Sequence, residues 1–338
     1  MTDITRELGV AVVGLGVGIQ HAYAYQSHPN CRILMLCDVN LTKAQQYADE
    51  FDTEATDDFE VVLRNPDVQI VSIASFDADH AGQVTKALDA GKHVFVEKPL
   101  CQTMEELKSI QQAWIVHQGR IKLGSNLILR AAPLYNWVRE KIQSGEFGSI
   151  YSFEGEYLYG RLEKITHGWR STADNYSVMA GGGIHLIDLL LWIILERPTT
   201  TIAMGNRIAS EGSAFRFYDY VTATMQNDSG VVARITSNFG CVHRHHHVLR
   251  IFGTKASFIY DDAGARLHTS RDALHSASPV DLSPLPLSKG DLIPPFISGI
   301  LADEDRKAET QSIFDGMSIS IASDHSLITQ KPQLIQYI

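Results

Sequence analysis

Lys98 lies just after an apolar segment of the chain. The segment His93–Val96 ends in Glu97, Lys98 and Pro99. If the segment is a strand of an open α/β sheet, Lys98 follows its carboxyl end, which is where such sheets bind their ligands. A lysine there can hydrogen-bond and polarise a hydroxyl or carbonyl group, and Glu97 can orient its ammonium group. A plain surface lysine is the alternative.

A glycine-rich segment, VVGLGVGIQH, supplies a second candidate site. It follows an apolar run and opens a helical pattern, with Gly14, Gly16 and Gly18 at the junction. Glycines allow a tight turn and bring backbone N–H groups close to a pyrophosphate, which the helix N-terminus also attracts. The usual spacing is G-x-G-x-x-G, and here the third glycine comes one residue early. A turn without a ligand is therefore the alternative.

Asp38 ends the second apolar run. Its spacing from the glycines is close to the roughly 20 residues after which dinucleotide-binding folds place the acidic residue that binds the adenosine ribose. Its carboxylate would accept hydrogen bonds from ribose hydroxyls and repel a 2′-phosphate. No arginine follows it in CDVNLTK. These features favour NAD over NADP, and a helix-capping Asp is the alternative. The other predicted cofactor-binding residues are Ser75, His80, Glu97 and Lys98.

The elements that must position these residues alternate in the first third of the chain. Apolar runs such as CRILMLCD, VQIVSIAS and KHVFVE are separated by helical patterns of about ten residues. This order predicts a doubly wound α/β Rossmann domain with a parallel sheet. After about residue 125, alternating segments such as SIYSFEGEYLYG predict an α+β domain with a large, mostly antiparallel sheet. We expect the nucleotide-binding domain over residues 1–124 and the substrate-binding and oligomerisation domain over 125–338.

Composition narrows the class of protein. The 338 residues suffice for two domains, and the net charge of −10 argues against a nucleic-acid partner. No apolar run has membrane-spanning length, and the first ten residues do not resemble a signal peptide. The four cysteines form no C-x-x-C pair, which favours a reducing cytoplasm. Prolines cluster in residues 279–295 and predict an irregular loop there.

An apolar helical segment, AGGGIHLIDLLLW, carries two polar residues. His185 and Asp188 are three residues apart and share a helix face. A buried carboxylate is costly unless it is paired, so we expect Asp188 to bond His185 or a facing backbone group. A histidine held in this way can act as a general acid or base. A structural histidine is the alternative.

The segment RLEKITHGWRSTADNYS gathers cations, amides and aromatic rings. This mixture suits a sugar, because aromatic faces stack on pyranose C–H surfaces while Arg and Asn bind hydroxyl or anionic groups. An ordinary loop is the alternative. The predicted substrate-binding residues are Asn126, Arg130, Trp169, Arg170, Asn175, Tyr176 and Asp188.

A histidine-rich segment, CVHRHHHVLR, could suggest a metal site. If it is a strand, His243, His245 and His247 alternate onto one face, and three imidazoles can bind zinc. No acidic or cysteine partner has suitable spacing. We therefore predict no metal site and a sheet face packed in a subunit interface.

Three of these segments resemble the Gfo/Idh/MocA family, the glucose-fructose oxidoreductase/inositol dehydrogenase-like oxidoreductases. They are GLGVGIQH, AGKHVFVEKP and GGGIHLIDLLLW, and the resemblance extends over nearly the whole chain. It implies that Lys98 is catalytic and binds substrate, that His185 takes the proton of the hydroxyl being oxidised, and that residues 161–176 lie beside the active site. The family pattern has an Asp four residues before the histidine, where this chain has Gly181.

The resemblance implies an NAD(P)-dependent oxidoreductase that transfers hydride between nicotinamide and a secondary alcohol of a sugar, cyclitol or nucleotide sugar. Two alternatives stay open. One is a glycosidase that holds NAD and oxidises C3 transiently, and the other is a non-catalytic NAD-binding sensor. The family uses no metal and commonly associates through the C-terminal sheet, which implies a homodimer or homotetramer.

Overall fold

The computed structural model describes residues 7–338, and the chain divides into two compact units. The first unit comprises Met1–Ile128 and Pro286–Phe314. The second comprises Leu129–Leu285 and Asp315–Ile338. The functional division into residues 1–124 and 125–338 stays a prediction. The compact units differ from it mainly because Pro286–Phe314 belongs to the first unit.

A six-stranded sheet forms the first unit. Its strands are β1 (Leu8–Val13), β2 (Cys31–Cys37), β3 (Glu54–Thr56), β4 (Val68–Ile73), β5 (His93–Val96) and β6 (Leu123–Ser125). Their order in the sheet is β3-β2-β1-β4-β5-β6, and all neighbouring pairs are parallel. The helices are α1 (Gly18–Gln26), α2 (Leu41–Phe51), α3 (Phe59–Arg64), α4 (His80–Asp89) and α5 (Met104–Ile115). The predicted Rossmann-like parallel sheet is confirmed.

A later helix completes the core of the first unit. The prediction of an irregular loop over residues 279–295 is wrong at its end, because a helix, Ile293–Leu301, begins there. Pro294 and Pro295 lie in its first turn, where a missing N–H group breaks no helical hydrogen bond. Phe296 and Ile297 of this helix are buried in the same apolar cluster as the residues of β1. Packing thus overrides the turn signal of the prolines.

A nine-stranded mixed sheet forms the second unit. Its strands are β7 (Ile150–Leu158), β8 (Pro198–Asn206), β9 (Tyr220–Asn227), β10 (Val232–Asn238), β11 (His246–Gly253), β12 (Ser257–Asp261), β13 (Gly264–His268), β14 (Ser278–Pro279) and β15 (Gln333–Leu334). Their order is β14-β13-β12-β11-β7-β10-β9-β8-β15. Within this sheet, β7 and β10 are the only parallel pair among the described residues. The predicted, mostly antiparallel sheet is confirmed.

Four helices accompany this sheet, namely α6 (Pro133–Gln143), α7 (Glu163–Thr166), α8 (Ile184–Ile194) and, from Asp315 onward, the residues of α10 (Lys307–Thr329). The helix Ile293–Leu301 of the first unit is α9. Helix α8 is buried almost all round and packs on β7 and β10, as its uniformly apolar sequence predicts. A π-helical turn, Met179–Gly183, precedes it. Among residues 7–338, no helix is long and apolar enough to cross a bilayer.

Sequence patterns did not reveal α10. Its buried residues include Ser318, Ser320, Ser323 and Ser326 among apolar side chains such as Phe314. The hydroxyl of Ser323 lies 3.1 Å from that of Thr201 and bonds the carbonyl of Ile319. Buried serines interrupt the apolar period of this helix, which is why the hydrophobic pattern did not indicate it.

Candidate cofactor and catalytic sites

The glycine segment forms a tight turn between β1 and α1. Gly14 has a φ of +81°, and a Cβ atom on it would lie 2.5 Å from the carbonyl oxygen of Ala74. A Cβ on Gly18 would lie 3.0 Å from that of Ala74, so this glycine permits close helix–strand packing. Gly16 faces open space. The turn at Gly14, the open space at Gly16 and the close packing at Gly18 match the geometry of a dinucleotide loop despite the early third glycine, and α1 has no side-chain N-cap hydrogen bond to its N–H groups.

Asp38 contacts this turn directly. Its Oδ2 accepts the N–H of Leu15 at 2.8 Å, and its Oδ1 accepts the N–H of Asn40 at 3.0 Å. Burial raises the pKa of Asp38, but these N–H groups and the nearby Lys43 ammonium hold it below its ordinary value. The cap of α2 is Asn40, whose side chain accepts the N–H of Lys43. Asp38 is therefore an ionised group at the glycine turn and does not cap the helix.

Glu97 is the centre of a buried hydrogen-bond network. Its Oε1 accepts the amide of Asn126 at 2.7 Å and lies 3.3 Å from His21 Nε2, while its Oε2 accepts the backbone N–H of Lys98 at 3.2 Å. The other ring nitrogen of His21 lies 3.0 Å from the hydroxyl of Ser72. Burial raises the pKa of Glu97, yet its partners lower it to about 2. A fixed negative charge therefore lies at the residue before Lys98.

Asn126, a predicted substrate-binding residue, belongs to the hydrogen-bond network of Glu97. It is buried, and its amide nitrogen bonds both Glu97 and the carbonyl of Lys289. Its amide oxygen is buried without a hydrogen-bond partner among residues 7–338. The nitrogen thus supports Glu97.

Lys98 follows β5 and is half-buried, and its peptide bond to Pro99 is cis. His80 lies beside this turn, because its Nδ1 is 2.6 Å from the carbonyl of Pro99 and its Nε2 is 3.3 Å from that of Ser75. The hydroxyl of Ser75 donates to Gln83. His80 and Ser75 thus connect the two loops that follow β4 and β5.

Asp188 has a partner that the sequence did not suggest. The expectation that it bonds His185 or the backbone is wrong, because both its oxygens accept from the guanidinium of Arg130 at distances that include 2.9 Å and 3.1 Å. Its side chain is only 1% exposed. Burial raises the pKa of Asp188, and Arg130 works against that shift. The two predicted substrate-binding residues Arg130 and Asp188 bind each other.

His185 lies among aromatic rings of the sheet. Tyr157 of β7 stacks on it with ring centroids 6.2 Å apart, and His247 of β11 meets it edge-on at 6.4 Å. His247 is buried, and burial together with neighbouring imidazoles, His185 first among them, holds its pKa well below the usual range. Sequence reasoning missed Tyr157, although the alternation of β7 does place it on the buried face of its strand.

Gly181 has a steric reason to be glycine. A Cβ atom on it would lie 2.3 Å from the hydroxyl of Tyr176. That hydroxyl accepts the Nε–H of Arg170 at 2.9 Å, and the guanidinium carbon of Arg170 lies 4.4 Å from the ring centre of Trp169. Trp169, Arg170 and Tyr176 therefore form one cluster, in which Tyr176 is buried. Asn175 is exposed.

The three alternating histidines do not share a strand face. Strand β11 begins only at His246, and His243 lies in the preceding turn, where Asp262 bonds its Nε2 at 2.9 Å. His245 and His247 contact the ring of Tyr157 instead. Residues 7–338 contain no group of three His, Cys, Asp or Glu side chains that could hold a metal ion.

Two family models match the chain. Residues 8–124 match the oxidoreductase family, NAD-binding Rossmann fold, and residues 135–259 match the Gfo/Idh/MocA C-terminal domain. A levoglucosan dehydrogenase of Pseudarthrobacter phenanthrenivorans is 26% identical over 294 residues, covering 76% of this chain and 74% of that protein. An inositol 2-dehydrogenase of Rubrobacter xylanophilus is 29% identical over 213 residues, covering 62% and 58%.

Solved structures show the same fold. A levoglucosan dehydrogenase in complex with NADH and L-sorbose has a TM-score of 0.84 at 19% identity and covers 98% of this chain and 99% of its own. The fold, the glycine turn and the two matched models agree. The chain belongs to the Gfo/Idh/MocA family of oxidoreductases, with an NAD-binding Rossmann fold in its N-terminal part.

Proposed function

We propose that the chain is an NAD-dependent dehydrogenase for a secondary alcohol of a sugar, cyclitol or nucleotide sugar. The observation that carries the proposal is the lysine after β5, whose preceding carboxylate is buried, ionised and hydrogen-bonded. This carboxylate accepts the backbone N–H of Lys98 and so holds the lysine turn in one conformation. The names of the relatives, levoglucosan dehydrogenase and inositol 2-dehydrogenase, support the substrate class.

Three residues of the chain, Lys98, His185 and Asn126, have separate roles in the proposed reaction. Bound NAD would supply the carbon that accepts the hydride. Lys98 hydrogen-bonds the reacting oxygen and polarises it, and His185 exchanges the proton of the hydroxyl. The buried oxygen of Asn126 accepts a hydrogen bond from the cofactor or the substrate. A positioned acid–base group of this kind contributes roughly 10²–10⁴-fold to turnover.

The substrate contacts that we propose come from the cluster of Trp169, Arg170 and Tyr176, with Asn175 beside it. The indole face stacks on sugar C–H surfaces, and the guanidinium binds hydroxyls or an anionic substituent. Arg170 is already oriented by the hydroxyl of Tyr176 and the ring of Trp169, which lowers the entropy that substrate binding must overcome.

The preferred cofactor in this proposal is NAD rather than NADP. Asp38 is ionised and bonded to the glycine turn, so it can accept a ribose hydroxyl and repel a 2′-phosphate. Tighter binding of NADP by the native chain, measured by calorimetry, would overturn the preference. Asp38→Ala should narrow the difference between the two dissociation constants, because the repulsion is gone.

A screen of sugars, cyclitols and nucleotide sugars with NAD tests the function itself. We expect NADH absorbance to accumulate with at least one alcohol of this class. If NAD binds but no compound yields NADH, the dehydrogenase proposal is wrong. Adding candidate glycosides to the same screen reveals the glycosidase alternative, because bond cleavage would then occur without net NADH.

The assembly we propose is a homodimer or homotetramer formed through the sheet of the second unit. The outer face of that sheet carries exposed Ile202 and Met204 beside an ion-pair row that includes Glu154 and Arg234. Light scattering on the purified chain tests it, and a monomer at all concentrations would overturn it. The proposed location is the cytoplasm, in line with four cysteines that form no disulfide.

A further inference from the structure

Lys43 places a positive charge next to Asp38, the carboxylate at the glycine turn. Its Nζ lies 3.2 Å from Asp38 Oδ2, and its side chain is 35% exposed. It belongs to the first turn of α2, which contains no acidic residue. A cation in the first turn is opposed by the partial positive charge of the helix N-terminus. The ion pair with Asp38 offsets this repulsion and holds the ammonium group beside the glycine turn.

The hydrogen bonds of Asp38 leave room for a ligand. A carboxylate offers about four acceptor sites, and the N–H groups of Leu15 and Asn40 and the ammonium of Lys43 take three of them. One site is left for a ribose hydroxyl. The Lys43 ammonium has three donors, and Asp38 is its only acceptor among residues 7–338. Both the acceptor and the remaining donors are therefore available beside the glycine turn.

Asp38 and Lys43 have opposite effects on the binding of a 2′-phosphate. Asp38 repels it, whereas the Lys43 ammonium and the N-terminus of α2 attract it. An arginine is absent from this segment, but a lysine also binds phosphate as a point charge. The discrimination between NAD and NADP thus depends on the balance between two neighbouring side chains, and Asp38 supplies only one half of it.

We propose that Lys43 is a specificity-determining residue, which lets the adenosine-ribose site accept NADP as a weaker second cofactor beside NAD. The inference rests on the proposed use of NAD and adds a residue to it. Removal of the Lys43 charge should make the chain more strictly selective for NAD, whereas removal of the Asp38 charge should make it less selective.

Calorimetric dissociation constants of NAD and NADP for the native chain and for Lys43→Gln test the proposal without any substrate. We expect Lys43→Gln to weaken NADP binding roughly tenfold, the scale of one lost charge-assisted contact, and to change NAD binding by no more than about twofold. Lys43→Arg should retain the native ratio. In the native chain, added salt should weaken NADP binding more than NAD binding, because it screens the phosphate contact.

Lys86→Gln is the matched control. Lys86 forms a comparable ion pair with Glu60 at 2.6 Å in the same unit, away from the glycine turn, so its loss should change neither constant. Equal effects of Lys43→Gln on both dinucleotides, or no effect, would overturn the inference while the NAD-binding function stands. So would a native chain that binds NAD and shows no binding of NADP. A native chain that binds neither dinucleotide would overturn the proposed function and the inference together.

Discussion

Two buried carboxylates, one in each compact unit, are stabilised in different ways. Glu97 has three partners, and its pKa is lowered to about 2 although burial raises it. Asp188 has one partner among the described residues, the guanidinium of Arg130, and burial raises its pKa against that cation. Burial is similar at the two sites. At Glu97 the contacts with His21 and Asn126 and the charge of Lys98 outweigh burial, whereas at Asp188 burial outweighs the single cation.

The comparison separates the two candidate catalytic residues. Glu97 directly precedes Lys98, so the lysine has a fixed negative charge beside it. Asp188 lies three residues after His185, but both its oxygens are engaged by Arg130. Asp188 therefore acts as the counter-ion of an arginine, and His185 is held by the rings of Tyr157 and His247 instead.

The largest expected effect is that of Lys98→Met on turnover. We expect kcat to fall by roughly 10²–10⁴-fold, because the group that polarises the reacting oxygen is lost. NAD binding should stay nearly intact, since the glycine turn and Asp38 hold the adenosine half. Steady-state kinetics and calorimetry measure the two quantities. Lys108→Met, an exposed lysine on α5, is the control, and an equal loss in both variants would contradict a special role for Lys98.

Arg130→Met tests how much the buried carboxylate of Asp188 depends on its one partner. It leaves Asp188 buried without its cation, so we expect the free energy of unfolding to fall by about 3–5 kcal/mol. Urea denaturation measures it. Arg130→Met with Asp188→Asn should recover part of the loss, because no unpaired charge is left. Arg234→Met is the control, because it removes one side of a more exposed ion pair with Glu154. It should lower the free energy of unfolding by at most about 1 kcal/mol. A similar loss of stability in both arginine variants would show that the buried pair has no special role.

His185→Ala should lower kcat by roughly 10²-fold at neutral pH, the lower end of the range for an acid–base group. Activity should partly recover at high pH, where hydroxide can replace the base. A pH profile of kcat is the measurement, with His246→Ala as control, since His246 contacts Tyr260 rather than Tyr157. Full activity of His185→Ala at every pH would make this histidine structural and leave the proton to Lys98 or to residues 161–176.

The smallest expected effect is that of Glu97→Gln on stability. A carboxyl whose pKa falls to about 2 on folding stabilises the protein above its unfolded pKa, near 4.3. That contribution is lost as the pH falls from about 4.3 towards 2. We expect Glu97→Gln to cost about 1–3 kcal/mol at pH 7, and the difference from the native chain to shrink below about pH 4. Urea unfolding at several pH values measures it, and a difference independent of pH would mean that Glu97 is not ionised in the folded protein.

Local sequence patterns determined a large part of this protein. The alternation of apolar runs and helical segments predicts the parallel sheet, the glycines predict the turn after β1, and Asp38 is predicted at the end of β2. The position of Lys98 after a strand end is also predicted, because a strand end is a local feature. These predictions succeed because helix and strand periods and backbone freedom at glycine act over a few residues.

Only the tertiary structure decided the partners of the buried polar groups. Asp188 meets Arg130, His21 meets Glu97, and the hydroxyl of Tyr176 fills the space beside Gly181. The first two pairs are separated by 58 and 76 residues in the chain. A hydrogen bond between distant residues depends on which faces the folded backbone brings together, and many partners satisfy the same buried group equally well. No local pattern selects among them, and the serine-rich face of α10 went unnoticed for the same reason.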